Sequence, residues 1–326
     1  MIDIIIVAYN NEDLIVDNIK SVVLNTKSDF RLTVVNDSSS DDTSLELQKV
    51  KEFCRSEHLK QIIIINNRYP KFETKCENDA LKVAKSKYAI LLQADMLIRE
   101  NAFDLKLIRA MEKYNDLLLV SGRAGQNLSD LKEPFFLTRG FQRLINKNIF
   151  KHYYARIIRT RHDSIQKKSK PLSHLIDIND LDFLESGNIG KVGVNIEGQF
   201  KNQDLNGNKI YICSSVIRGP LIIDLEKFRK LGYFDQRNFF QGWDDHDVCI
   251  RGYVKFGWRV GFIPIQYFSD ISPKKYTEFR FKKGSVLNEL LIFMKIVKLS
   301  VIWRKSFLYQ FFTEQMEIGP HEIREY

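Results

Sequence analysis

The chain has 326 residues, 44% of them hydrophobic, with 50 Lys and Arg against 41 Asp and Glu, a net charge of +9. That length and apolar share describe a globular protein with a real core rather than a disordered chain. The cysteines Cys54, Cys76, Cys213 and Cys249 lie far apart with no C-x-x-C pair, which argues against a zinc site and a disulfide framework and fits a reducing compartment, with a cytoplasmic location expected.

The N-terminus has no basic region and an acidic Asp3, so no signal peptide is expected. No run of about 18 uncharged apolar residues marks a membrane span. The positive balance favours an anionic partner.

The first third alternates strand and helix. Residues 2–7 are an apolar, β-branched run, broken at Asn10-Asn11-Glu12. Apolar residues at 14, 15, 19, 22 and 23 then keep helical spacing. Residues 31–35 form a second strand, and the polar run from Asn36 to Asp42 offers caps for a helix over about 42–56. A third strand covers 61–65 and a helix about 74–86. Residues 88–93, YAILLQ, form a strand buried on both faces, broken at Gln93-Ala94-Asp95. A helix over about 101–113 and a strand at 117–122 complete this part. The spacing predicts βαβ units and a mostly parallel sheet flanked by helices. Right-handed crossovers put Asn10, Glu12, Asp37, Asn67 and Asp95 on one sheet edge, where such folds bind ligands.

Neither G-x-G-x-x-G nor G-x-x-x-x-G-K-S/T occurs, so a nucleotide's phosphates need another counter-charge, and a cation held by Asp95 is the simplest one. Residues 139–170 carry ten Lys or Arg and one acid, with aromatics interleaved. They read either as a solvated, partly helical insertion or as a surface for anionic lipid. No motif supports nucleic acid as a partner. Residues 210–218 and 221–224 form strands, and a short helix follows at 225–231. Asp244, Asp245 and Asp247 then open a helix within four positions. They either cap it or supply a base, crowding raising the pKa of at least one. Residues 286–303 wind as a helix apolar nearly all round, for packing or for lying in a membrane surface.

In order and spacing these segments resemble the family 2 glycosyltransferases with a GT-A fold. The resemblance rests on IIIVAYNNE, VVNDSSSDDT, CENDAL, LLQADM, RGPLII, GYFD and WDDHDVCIR, over 1–122 and 213–264. Asn36 replaces an Asp of the family pattern, Glu77 an Arg, Ala80 a Gly and Gln93 the first Asp of D-x-D.

The resemblance implies an inverting transferase that moves a sugar from a nucleoside diphosphate sugar, most readily a UDP-sugar, to a glycan or lipid-linked acceptor. The alternative is a non-catalytic nucleotide- or glycan-binding relative. Ala8, Tyr9, Glu12, Asp37, Asn67, Asn78, Gln93 and Ala94 would then bind nucleotide. Asp95 would bind Mn²⁺ or Mg²⁺, His246 being a possible second ligand. Asp245 would be the base, with Asp244 beside it. By this reading 1–122 is the nucleotide-sugar half and 123–270 the acceptor half, with the base segment at 232–264. Residues 271–326 form a helical tail. An enzyme at the inner face of a membrane, touching its anionic surface, would use both the basic insertion and the tail.

Overall fold

The computed structural model describes residues 1–123, 125–126, 208–213, 215–216, 218–239, 244–269 and 322–326. The basic insertion at 139–170 and the apolar stretch at 286–303 lie outside them.

Strands β1 (Ile2–Ala8), β2 (Phe30–Asn36), β3 (Leu59–Asn66) and β4 (Tyr88–Gln93) are parallel neighbours in the order β3-β2-β1-β4. Ala8 pairs with Asn36, Asn36 with Asn66, and Val7 with Gln93, so the four strands end level. Beyond β4 come β10 (Leu221–Asp224), β6 (Leu117–Ser121), β11 (Arg259–Phe262), β8 (Lys209–Cys213) and β13 (Glu322–Glu325). Strands β8 and β10 run against the other seven. The sheet is therefore mostly parallel and continuous from the first third of the chain into the residues after 208. Two small ribbons join β5 (Met96–Ile98) to β12 (Tyr267–Ser269) and β7 (Gly125–Gln126) to β9 (Ser215–Val216).

Alternation along the strands feeds a core on each face of the sheet. Ile4 and Ile6 of β1 join Ile15, Ile19 and Val22 of α1 (Ile15–Asn25), Leu47 and Val50 of α2 (Thr43–Phe53), and Phe103 and Leu107 of α4 (Phe103–Lys113). Ile5, Leu91 and Ile223 face the opposite way. They join Ala80 and Leu81 of α3 (Glu73–Val83), Phe228 of α5 (Leu225–Leu231) and Val248 of α6 (Asp244–Phe256). The expected helices stand, and two are shorter than read. Helix α2 ends at Phe53 and α3 at Val83, where Cys54 and Ala84 turn extended.

The tail read as helical contains a strand. Residues 322–325 pair with the open edge of β8, the N–H of Tyr326 donates to the carbonyl of Asn208, and Arg324 meets both oxygens of Asp116 at 2.7 and 2.9 Å. An unpaired strand edge takes up an extended segment whatever that segment's local preference.

Leu91, between α3 and β10, is 2% exposed. Leu91→Ala should lower unfolding free energy in urea by about 3 kcal/mol through the cavity it leaves.

Candidate active site

The carboxyl ends of β1 and β2 are laced together by side chains. Asn10 and Ser38 adopt positive φ (52° and 61°), which turns the backbone sharply after each strand. The N–H of Asn10 donates to Ser39 Oγ at 3.0 Å, and the N–H of Ser40 to Asn10 Oδ1 at 2.8 Å. The N–H of Asp42 donates to the Glu12 carboxylate at 2.7 Å. Exposed Glu12 and half-buried Tyr9 line the mouth of this loop pair, and Ala8 is buried beneath it.

Asp37 is fully buried. Its carboxylate accepts from Asn67 Nδ2 at 2.9 Å and from the N–H groups of Lys71 and Phe72 at 2.8 and 2.7 Å. Phe72 sits at φ 72°, ψ 159°, a conformation almost confined to glycine. Asp37 thus holds a strained turn at the start of α3, and Asn67 helps it do so. Asn78 is likewise tied to protein. Its amide donates to the Phe234 carbonyl at 2.9 Å and accepts from the Phe234 N–H at 3.1 Å.

The β4–β5 turn carries Gln93, Ala94 and Asp95. Buried Asn18 of α1 donates to the carbonyls of Gln93 and Met96 and so sets its shape. Ala94 and Asp95 are buried within it. The Gln93 amide donates to Glu73 Oε1 at 3.1 Å.

Glu73 leads to a centre the sequence reading had not singled out. Arg218, 7% exposed, meets Glu73 at 3.0 Å, Glu77 at 2.6 Å and Asp244 directly. Its backbone N–H donates to Asp245 Oδ2 at 3.2 Å. Its guanidinium also lies 4.9 Å from the centre of the Phe234 ring. One buried cation thereby joins α3, the start of β10 and the first turn of α6. RGPLII was quoted only as part of a pattern. Glu77, noted as a departure from that pattern, is one of the partners Arg218 requires.

The acidic cluster on α6 divides by environment. Asp244 is 1% exposed and also accepts from Thr74 Oγ1 at 3.2 Å. Asp247 is fully buried and accepts from Arg251 Nε at 2.7 Å. Arg251 in turn holds the carbonyls of Leu231 and Tyr233. Burial, offset in part by Arg251, pushes the Asp247 carboxyl up to about 6. The cause is burial first rather than the expected crowding, and the group serves a clamp. The Asp245 side chain keeps 12% exposure and is oriented by the N–H groups of Arg218 and His246. The His246 ring places Nδ1 2.7 Å from Ser215 Oγ and Nε2 4.0 Å from Asp245.

Among the described residues no three His, Cys, Asp or Glu side chains are grouped to hold a cation. Asp95 alone leaves most of an octahedral shell to water and to a ligand's phosphates, a common way of holding Mg²⁺. A divalent cation at Asp95 would depend on a ligand's phosphates and water for the rest of its shell.

Residues 3–164 match the model of glycosyl transferase family 2. The chain carries a family 2 glycosyltransferase domain. Its α/β sheet is the architecture the resemblance implied. Two Escherichia coli relatives are UDP-Glc:alpha-D-GlcNAc-diphosphoundecaprenol beta-1,3-glucosyltransferases. WfaP is 35% identical over 95 residues, 29% of this chain and 35% of its own length. WfgD is 32% identical over 107 residues, 33% of this chain and 40% of its own length. This chain thus spans well under half of either relative. Staphylococcus aureus TarS 1–349 with UDP-GlcNAc overlays at TM-score 0.46 and 12% identity, over 93% of this chain and 74% of that one. GalNAc-T7 with UDP, GalNAc and Mn²⁺ overlays at 0.49 and 14%, over 81% and 42%. At these scores neither overlay bears on the role of any residue in the glycosyltransferase domain.

Two outcomes follow. Asp37→Ala should destabilise the ligand-free protein by about 3 kcal/mol in urea, since it strands buried N–H donors. A residue that only met nucleotide would leave that value unchanged. Burial also lifts Glu77 to about 8, with Arg218 opposing and Glu73 adding to the shift. A carboxyl whose folded pKa is raised stabilises the fold while protonated, and that contribution fades as pH climbs from 4.5 through about 8. Glu77→Gln should therefore show a smaller fall in Tm than wild type between pH 5 and pH 8.

Proposed function

We propose that this chain is an inverting glycosyltransferase. It moves a sugar from a nucleoside diphosphate sugar, a UDP-sugar first, to a hydroxyl of a lipid-linked glycan. Donor and acceptor classes follow the names of the two Escherichia coli relatives, which use UDP-Glc and a GlcNAc-diphosphoundecaprenol acceptor.

One observation carries the reading. Asp245, the most open carboxylate of the α6 cluster, is joined through Arg218 and Glu73 to Gln93 at the end of β4. The donor's diphosphate belongs at the β4–β5 turn and the acceptor belongs against Asp245.

In the reaction Asp245 takes the proton of the acceptor hydroxyl. The freed oxygen electrons attack the anomeric carbon from the face opposite the diphosphate, and the bond to the diphosphate oxygen breaks with its electron pair. The N–H groups of Arg218 and His246 keep the Asp245 carboxylate aimed during this transfer. Asp244, spent on Arg218 and Thr74, fixes the helix end and takes no proton. A divalent cation held by Asp95 would offset charge on the departing diphosphate. Ala8, Tyr9 and Glu12 line the nucleoside side of the cleft, while Asp37, Asn67 and Asn78 shape it from beneath.

Work on a lipid-linked acceptor would bring the enzyme to the inner face of a membrane. Among the described residues no helix is long and apolar enough to cross one.

Asp245→Asn should lower kcat for sugar transfer by at least about a hundredfold, the usual scale for losing a general base, with UDP affinity by calorimetry held. Turnover near wild type would remove Asp245 from this role. Failure of wild type to bind any nucleoside diphosphate would remove the reading itself.

A further inference from the structure

Beside Asp245 stands a buried polar pair that the reaction above leaves without a task. Ser215, on β9, is fully buried, and His246, in the first turn of α6, is 6% exposed. Ser215 Oγ and His246 Nδ1 lie 2.7 Å apart, a close hydrogen bond. Strand β9 is itself held in place. Ser215 pairs with Gln126 and Val216 with Gly125 across the β7–β9 ribbon. The backbone of Val216 also hydrogen-bonds Cys249, about one helical turn after His246. The ribbon thus meets α6 along its first turns, and Ser215 pins the ring of the residue that follows Asp245.

The ring's other nitrogen lies near the carboxylate. Nε2 is 4.0 Å from Asp245 Oδ1, the oxygen that accepts from the His246 N–H at 2.8 Å. A neutral imidazole carries its hydrogen on one nitrogen, and the bond made by the other decides which. With the hydrogen on Nδ1, Ser215 would accept, and a bare lone pair on Nε2 would lie beside a carboxylate. With the hydrogen on Nε2, Ser215 donates to Nδ1, and the positive end of an N–H dipole lies beside that carboxylate. The second arrangement is the favourable one next to a base that must be ionised to act. Burial sharpens the preference, because the effective dielectric there is below that of water.

We propose that Ser215 and His246 are positioning residues for the base: Ser215 sets the Nε2–H form of His246, and that ring steadies the Asp245 carboxylate for the acceptor hydroxyl. The inference rests on the transferase reading above and deepens it, since the aim of the base then depends on β9 as well as on Arg218. A carboxylate held by two backbone N–H groups can still tilt, and a third dipole on the Oδ1 side resists the tilt. Transfer rates fall steeply with such misalignment. Neither residue is asked to touch substrate or to take the proton. This is a different task from the cation ligation that the resemblance allowed for His246.

Two measurements on the full chain test it. Spectra of ¹⁵N-labelled histidine at about pH 8, where an ordinary imidazole is neutral, read the tautomer without substrate. The chain has six histidines, and the signal missing from His246→Gln assigns the one in question. Wild type should carry the hydrogen on Nε2, and Ser215→Ala should show both forms. Hydrogen on Nδ1, or on both nitrogens, overturns the inference and leaves the transferase reading standing. Kinetics with UDP-Glc and a GlcNAc-diphosphoundecaprenol acceptor give the second readout. His246→Ala should lower kcat about thirtyfold and Ser215→Ala about fivefold, with KM for UDP-Glc within about twofold of wild type. His246→Gln, whose amide N–H can stand at the Nε2 position, should recover most of the loss. His246→Asn, which reaches only the Nδ1 position, should not. Equal rates for the Ala, Asn and Gln variants would make the pair a packing feature and overturn the inference, as would wild-type kcat in Ser215→Ala. No transfer by wild type defeats the transferase reading, and the inference with it.

Discussion

A single buried guanidinium holds the two sides of the site together. Arg218 sits among Glu73, Glu77 and Asp244 and donates its backbone N–H to Asp245. Charges this deep are tolerated only when paired, and taking one partner away typically costs about 3–5 kcal/mol. The arrangement is over-supplied with acid, which is why burial and Glu73 together can lift Glu77 toward neutrality. What the cluster provides is position. It fixes the end of α3, the entry to β10 and the first turn of α6 to one point, and so brings the end of β4 to the segment that carries Asp245.

The rest of the edge is built to stay still. Asp37 holds a backbone turn that only glycine adopts without strain, Asn18 shapes the β4–β5 turn, and Asn78 fastens the segment at Phe234 onto α3. Each is a polar side chain buried at the boundary between sheet and loops, where backbone groups lose their ladder partners and must find others. A site that aligns an alcohol with an anomeric carbon gains from such rigidity, since rate depends steeply on alignment.

The departures from the family pattern gain a common sense here. Gln93 gives up a carboxylate but ties itself to Glu73, and Glu77 stands where an Arg was expected yet pairs with Arg218. Charge has been redistributed within the site rather than removed.

The amino-acid sequence by itself determined the alternation of strands and helices in the first third. Apolar periodicity and polar breaks are local, and parallel strands with right-handed crossovers must gather their carboxyl ends. It also marked Asp95 and the acidic opening of α6, because carboxylates interrupting apolar runs stand out. Only the tertiary structure decided which acids are open and which are committed. Asp244, Asp245 and Asp247 look alike in a row, and their burial depends on Arg218 and Arg251, which arrive from different distances along the chain. Only it turned the last residues into a strand, because the vacant edge of β8 is a property of the assembled sheet.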